Sequence, residues 1–321
     1  MKKKALSLIL AVCMMLTMMP SAIAASVDVS GGEETCSHEA AIGTTHYDTF
    51  EEAVEAAGED QTVTLLNDAE TALVEIKKPI QIDGQGHTLW VERLNVYDDT
   101  TIENLKIVRA EGSTQTTVFG VHGQDSNAPK VLLKDCEIVQ TGTNHGLRLD
   151  ASAAGAEVTL DHTNVSADTN KGYGQAITMG VPDCTLKIVN GSQISADYYY
   201  GIICFSDNNR ILVEDSTVSG WCALYLKYND EESTGSNNTV EFVNSTINGT
   251  CKHAYGISNS FAALVFEGGS NNTVTVDQNS KVIATGGENT ERIANFQMMY
   301  GTSAPQPENN TLNLLGTAQV M

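Results

Sequence analysis

The chain has 321 residues, and its 40 acidic side chains against 18 basic ones give a formal net charge of −22. That balance excludes a role on nucleic acid, where phosphate binding needs clustered Lys and Arg, and it disfavours anionic membranes and polyanions. The length allows one large domain or two small ones.

The first element is a segment to be removed. Lys2, Lys3 and Lys4 precede an apolar run over residues 5–19, and the small residues Ala22 and Ala24 sit where a cut after Ala24 needs them. This is the layout of a bacterial secretory signal peptide. The run falls short of the roughly 20 apolar residues that cross a bilayer, and no later stretch replaces it. Val12 is too large for Cys13 to be a lipoprotein cysteine. The expected organisation is a signal peptide over 1–24, a linker over 25–40 and one domain over 41–321. Removing 24 of 321 residues leaves 297, and losing three lysines takes the charge from −22 to −25. A secreted or cell-surface location is expected.

Helical periodicity occurs once. Asp48 can cap a helix over about 48–57 with Glu51 as its reciprocal partner, and Phe50, Ala53, Val54 and Ala57 then share a face. Within an N-terminal cap over 41–66, this helix would cover the open end of the strands downstream. Strand-like runs begin at 62–66, 72–76 and 80–82, and short β runs broken by Asn, Asp, Gly and Ser continue from there.

The chain then repeats itself. One unit is an alternating strand, an Asp or Asn, a few small polar residues and an Ile or Val. Its closing aliphatics are Ile107, Ile138, Val165, Ile194, Val218, Ile247 and Val282, at steps of 31, 27, 29, 24, 29 and 35 residues. A second unit alternates with it: an aromatic residue, usually a Gly, then an aliphatic strand. Its leading residues are Phe119, His145, Tyr173, Tyr200, Trp221 and Tyr255. Short strands at such a period exclude propeller blades, which run to about 40–50 residues, and the Leu/Asn consensus of leucine-rich repeats is absent. A parallel coil fits, in which like residues stack on like residues and neighbouring coils stabilise one another. The fold expected is all-β: a single-stranded right-handed parallel β-helix, a solenoid, with a short N-terminal capping helix. An antiparallel sandwich is the alternative, but it leaves the phase of the repeat unexplained.

These alternating units, the Asn/Asp turns and the segment 79–89 (PIQIDGQGHTL) resemble the pectate-lyase-like superfamily of right-handed β-helices. Residues 41–66 are similar to the lead-in of β-helix domains in bacterial surface proteins. The resemblance covers residues 40–315 and implies the fold far more than a function, since this scaffold carries lyases, hydrolases, adhesins and stalks.

Lyases on this scaffold need Ca²⁺-binding carboxylates and an Arg or Lys base; hydrolases need two or three clustered Asp. The mature chain holds five arginines: Arg93, Arg109, Arg148, Arg210 and Arg292. Arg148 with Asp150 is the best lyase-like fragment, and His122-Gly123-Gln124-Asp125 has the look of a hydrolase loop. Asp98-Asp99 reads as a turn. None of these is assigned a catalytic role. The ladder of Asn104, Asp135, Asn190, Asp215 and Asn244 reads as turn chemistry in preference to a Ca²⁺ site, so no metal ligand or cofactor is assigned. The pairs Asn237-Asn238, Asn271-Asn272 and Asn309-Asn310 also read as turns, and a last strand is expected over 311–315. Cys36, Cys136, Cys184, Cys204, Cys222 and Cys251 form no C-x-x-C pair and are read as buried and unpaired.

The aromatic residues carry the binding hypothesis. Stacked coils would place them in one column about 4.8 Å apart. Exposed rings at Tyr173, Tyr200, Trp221 and Tyr255, with Tyr198, Tyr199 and Tyr228 nearby, would offer faces to sugars; covered rings would be a packing stack. The leading expectation is a non-enzymatic adhesin or carbohydrate-contacting module with extracellular glycans or cell-wall polysaccharide as partners. The alternatives are a polysaccharide lyase or glycoside hydrolase, which a carboxylate–Arg pair in a cleft would favour, and a stalk without ligand.

Overall fold

The computed structural model describes residues 37–124, 127–142, 144–168, 174–250, 262–286, 293–297 and 307–321. The expected signal segment, Cys36, Asp125, Tyr173, Cys251, Tyr255 and Arg292 lie outside the described residues.

Strand alternation decides what faces inward. In Lys130–Lys134, Val131 and Leu133 are buried while both lysines are exposed, as expected where successive side chains point to opposite faces. Each such strand pairs in parallel with its counterpart one coil away. Ile82, Ile102, Leu133, Leu160, Ile188, Val213, Phe242 and Val276 therefore stand in one inward column. None of them is more than 1% exposed, so each contributes about 1.5–3 kcal/mol of apolar burial. Among the described residues, these strands belong to a 12-stranded sheet and the remaining strands to a 17-stranded one.

Within the larger sheet, most coils contribute two strands and so build two ladders. The first holds Ile107, Ile138, Val165, Ile194, Val218, Ile247 and Val282, each paired with the next. These are the seven closing aliphatics of the repeat, all fully buried. The second ladder has its own inward column: Leu94, Phe119, Leu147, Ile177, Ile202, Leu224 and Leu264. The chain is a right-handed parallel β-helix. Among the described strands, antiparallel pairing is confined to Ala40–Ile42 with Thr45–Tyr47 and with Thr62–Leu65, which removes the sandwich.

The capping helix is shorter than expected and is capped differently. It spans Phe50–Ala56, and the Thr49 hydroxyl, not Asp48, accepts the Glu52 N–H. The Phe50 N–H is taken by Glu39 Oε2 at 2.9 Å, and Glu51 Oε2 accepts from the Thr71 hydroxyl at 3.3 Å. Phe50, Ala53 and Val54 are buried as expected. The first strand begins at Ala40, one residue inside the expected linker. The last coil ends in two strands, Thr311–Leu314 and Thr317–Val320, where one was expected.

Turn chemistry explains the Asn/Asp ladder. Asn104, Asp135, Asn190, Asp215 and Asn244 all have φ between 46° and 57°, and His162 fills the missing rung at 48°. Short polar side chains tolerate this left-handed conformation and bond locally; the Asn190 amide donates to Asp161 Oδ1 at 2.7 Å. Asn237, Asn271 and Asn309 are left-handed too, while their neighbours form a buried ladder. Asn238 Oδ1 accepts the Asn209 N–H at 2.8 Å, Asn272 Oδ1 the Asn238 N–H at 2.9 Å, and Asn310 Oδ1 the Asn272 N–H at 2.9 Å. Among the described residues, no group of three or more His, Cys, Asp or Glu is placed to hold a metal ion. Cys136, Cys184, Cys204 and Cys222 are buried, the first three as free thiols.

Candidate functional site

The second ladder turns one face outward, and its register assigns the sequence-selected residues to different positions. Phe119 pairs with Leu147 and is fully buried in the core. His145 stands two positions earlier, opposite Thr117 and Gln175, and Gln175 leads on to Tyr200. Tyr200 is opposite Cys222, so Trp221 lies one residue before that column. The aromatic residues therefore do not form one ladder: a shared motif position is not a shared register when each coil enters the strand at a different residue.

What forms instead is a local aromatic group at the bend between the two ladders. Trp221 packs on Tyr199 with centroids 4.9 Å apart and on Tyr198 at 5.4 Å, Tyr199 meets Tyr200 edge-on at 5.5 Å, and Tyr200 lies 4.6 Å from Tyr225. The bend needs Gly201, where a Cβ would stand 2.7 Å from the Ser219 carbonyl and 2.8 Å from that of Ala223. Tyr198 is 38% exposed and Trp221 only 7%. Both line a cavity of about 380 Å³ with Ser195, Asp197, Ser219, Asn248 and Thr250. The Trp221 indole N–H and Asn248 Oδ1 are buried without a hydrogen-bond partner among the described residues, a condition that ordinarily costs about 1–3 kcal/mol per group. Next to this group, Ile203, Cys222, Tyr225, Ala262 and Val265 form a second buried apolar cluster apart from the main core.

Earlier coils of the same ladder carry a polar network. Register places Asn95, Gly120, Arg148 and Thr178 in one outward column. Arg93 gives Nε to Asn95 Oδ1 at 2.7 Å and Nη2 to Asp150 Oδ2 at 3.0 Å, and the same Nη2 lies 3.0 Å from His122 Nε2. Arg148 Nε approaches Asp150 Oδ1 at 3.5 Å, and its Nη1 donates to His145 Nε2 at 3.1 Å. His145 Nδ1 bonds the Thr178 hydroxyl at 2.7 Å, which donates to Gln175 at 2.8 Å. His122 stacks on Tyr97 at 4.9 Å, and the Tyr97 hydroxyl donates to Glu75 at 3.0 Å. Gly120 makes this convergence possible: a Cβ there would lie 2.5 Å from Asn95 Oδ1, 2.9 Å from His122 Nε2 and 3.0 Å from Arg93 Nη2.

Charge states follow from these surroundings. Burial, reinforced by the Arg148 cation, pushes the His145 imidazole down to about 4, so the ring is neutral and its Nε2 is an acceptor. Burial also lowers His122, against the pull of Asp150. Burial would raise Asp150, but Arg148, His122, the Ala151 N–H and Arg93 together hold it below the ordinary carboxylate range. At neutral pH the network is one carboxylate between two guanidinium groups, flanked by two neutral imidazoles.

The two enzyme-like fragments of the sequence, Arg148 with Asp150 and His122, thus meet. Arg93, Asn95 and His145 complete the network and were not assigned to it beforehand. Asp98 and Asp99 brace turns, accepting from Asn127 at 3.2 Å and from the Lys130 N–H at 2.8 Å.

No family model matches the sequence, and no curated protein does. The fold is similar to solved structures of phage tailspikes. One is the enzymatically active domain of tailspike protein 2 from bacteriophage CBA120, at 11% identity and a TM-score of 0.45 over 84% of this chain and 44% of that one. The other is full-length tailspike protein 2 from an Escherichia coli O157:H7 bacteriophage, at 13% identity and a TM-score of 0.46 over 87% of this chain and 41% of that one. The chain spans less than half the length of those proteins.

Proposed function

We propose that this chain is an exported β-helix, secreted or held at a cell surface, that contacts carbohydrate through its aromatic group without cleaving it. The observation that carries this reading is the cavity beside Tyr198 and Trp221. Ring faces suit the C–H faces of a sugar, and Ser195, Asp197, Ser219, Asn248 and Thr250 surround them with hydroxyl, carboxylate and amide groups. The hydroxyl groups of Ser195, Ser219 and Thr250 at this cavity both donate and accept, as sugar hydroxyls do. Tyr200 supports the group from behind, and Tyr173 and Tyr255 remain further candidate contacts.

A glycan array probed with the mature chain, followed by titration of any retained glycan, tests this. Trp221→Ala and Tyr198→Ala should each weaken binding, Trp221→Ala by about tenfold or more. A parent protein that retains no glycan, or variants that bind as the parent does, would remove the reading and leave a stalk.

One observation favours a polysaccharide lyase or glycoside hydrolase instead: the Arg93–Asp150–Arg148 arrangement with neutral His122 and His145 beside it. Against it, both Asp150 oxygens are engaged by guanidinium groups, which leaves no free carboxylate for acid or base work there. Pectin, alginate and neutral plant glycans are expected to survive incubation with the protein. Turnover that disappears in Arg148→Ala would establish the enzyme.

A further inference from the structure

We infer that the Arg93–Arg148 pair is a second ligand site, distinct from the aromatic cavity, which takes the oxyanion group of an acidic ligand: a carboxylate or a sulfate ester.

The sign of the local charge is the first reason. In a chain of net charge −22, two of its few arginines converge on one carboxylate, and the histidines beside them add no charge at neutral pH. The site keeps a surplus cation.

The second reason is the unused donors. A guanidinium presents five N–H donors in a planar fork. Arg93 spends Nε on Asn95 and Nη2 on Asp150 and His122. Arg148 spends Nη1 on His145. Arg93 Nη1 and Arg148 Nη2 have no partner among the described residues, while Arg148 Nε is buried facing Asp150 Oδ1 at 3.5 Å. The free Nη groups, one on each guanidinium held by the shared carboxylate, can each give a charge-assisted hydrogen bond to an oxyanion.

Access and rigidity are the third reason. The side chains of Arg93, Arg148 and Asp150 keep 19%, 31% and 25% of their surface exposed, so a ligand reaches them without rearranging the coil. At Gly120 the place of a side chain is taken by Asn95, His122 and Arg93 themselves, which packs the network tightly. The flanking contacts to Asn95, His145 and Thr178 fix both arginines before a ligand arrives, which lowers the ordering cost of binding. A network that only braced coils would not need the surplus donors.

This inference uses residues outside the aromatic cavity, so the two readings stand or fall separately. The test is calorimetric titration of the mature chain with glucuronate, with inorganic sulfate, and with glucose as the uncharged control. Saturable binding of either anion, absent for glucose and weakened by about tenfold or more in Arg148→Ala and in Arg93→Ala, is the expected result. The anion that binds distinguishes a sugar carboxylate from a sulfate ester. Asp150→Asn supplies the control for folding. It keeps the shape of the bridge and removes the competing charge, so it should bind the anion at least as tightly as the parent, whereas a purely structural network would gain nothing from it. If neither anion binds saturably to the parent or to Asp150→Asn, or if the arginine variants bind as the parent does while folded, the inference is overturned.

Discussion

Arg148 and Tyr225 occupy the same outward column of the second ladder, three rungs apart through Thr178 and Ile203. One belongs to a half-exposed network of ions and imidazoles; the other is 2% exposed within an apolar cluster. Their inward neighbours in the same strands, Leu147 and Leu224, are interchangeable aliphatics in one core column. The difference shows where a solenoid is free to vary. Inward positions are constrained by the coils above and below, because each buries its apolar face against them. Outward positions carry no such constraint, so adjacent rungs can hold unrelated chemistry on one rigid backbone.

The largest expected effect tests the inward half of that contrast. Ile188→Asp or Ile202→Asp places a charge in a fully buried column. Either should cost about 4 kcal/mol or more and unfold the neighbouring coils, read as a collapse of the denaturant midpoint. Retained stability would show that the columns do not hold the fold.

The next effect lies on the outward face and depends on pH. His145 titrates near 4 when folded against about 6.5 when unfolded. Above 6.5 both states are neutral and the stability is fully present. As pH falls from 6.5 towards 4, the unfolded chain binds a proton that the folded chain refuses, and stability drops by up to about 3 kcal/mol. His145→Gln should flatten that stretch of a stability–pH profile, and an unchanged slope would show that the imidazole is not buried as described.

A smaller effect separates the two members of an Asn pair. Asn238→Ala removes the acceptor of the Asn209 N–H and the donor to the Ser206 carbonyl, at about 1–3 kcal/mol. Asn237→Gly, at φ 60° on the exposed side, should change stability by no more than about 0.5 kcal/mol. Equal costs would mean that the ladder is not buried. The smallest effect belongs to Tyr198→Ala, which should leave the thermal midpoint almost unchanged, within about 0.5 kcal/mol, while weakening glycan binding.

Legibility in the sequence divides along the same line. The closing aliphatics from Ile107 to Val282 all fall in one column because core positions repeat with the coil. The Asn/Asp turns were legible because only a few residue types adopt a left-handed φ, although His162 hid its rung by being neither Asn nor Asp. The outward face was not legible. Arg93 and Asp150 are 57 residues apart in sequence and meet only through the register of intervening coils. The aromatic motif misled for a related reason: Phe119 and His145 begin similar phrases, but the strands take them up at positions two residues apart. Gly120 was legible only as the Gly of that phrase, whereas its role is to leave room for three side chains.

The spacing of the coils has a consequence for how the molecule tolerates change. Ile194 and Val218 are direct partners 24 residues apart, and Ile247 and Val282 are direct partners 35 residues apart. The ladder does not measure the chain between its rungs; it measures only the phase at which each strand begins. Extra residues are taken up in the turns, where doubling a loop costs only about 0.6 kcal/mol in closure entropy. Peptides grafted between rungs should therefore be carried on the flank of the coil without disturbing the rungs on either side, which makes this chain a scaffold on which new segments can be displayed one coil at a time.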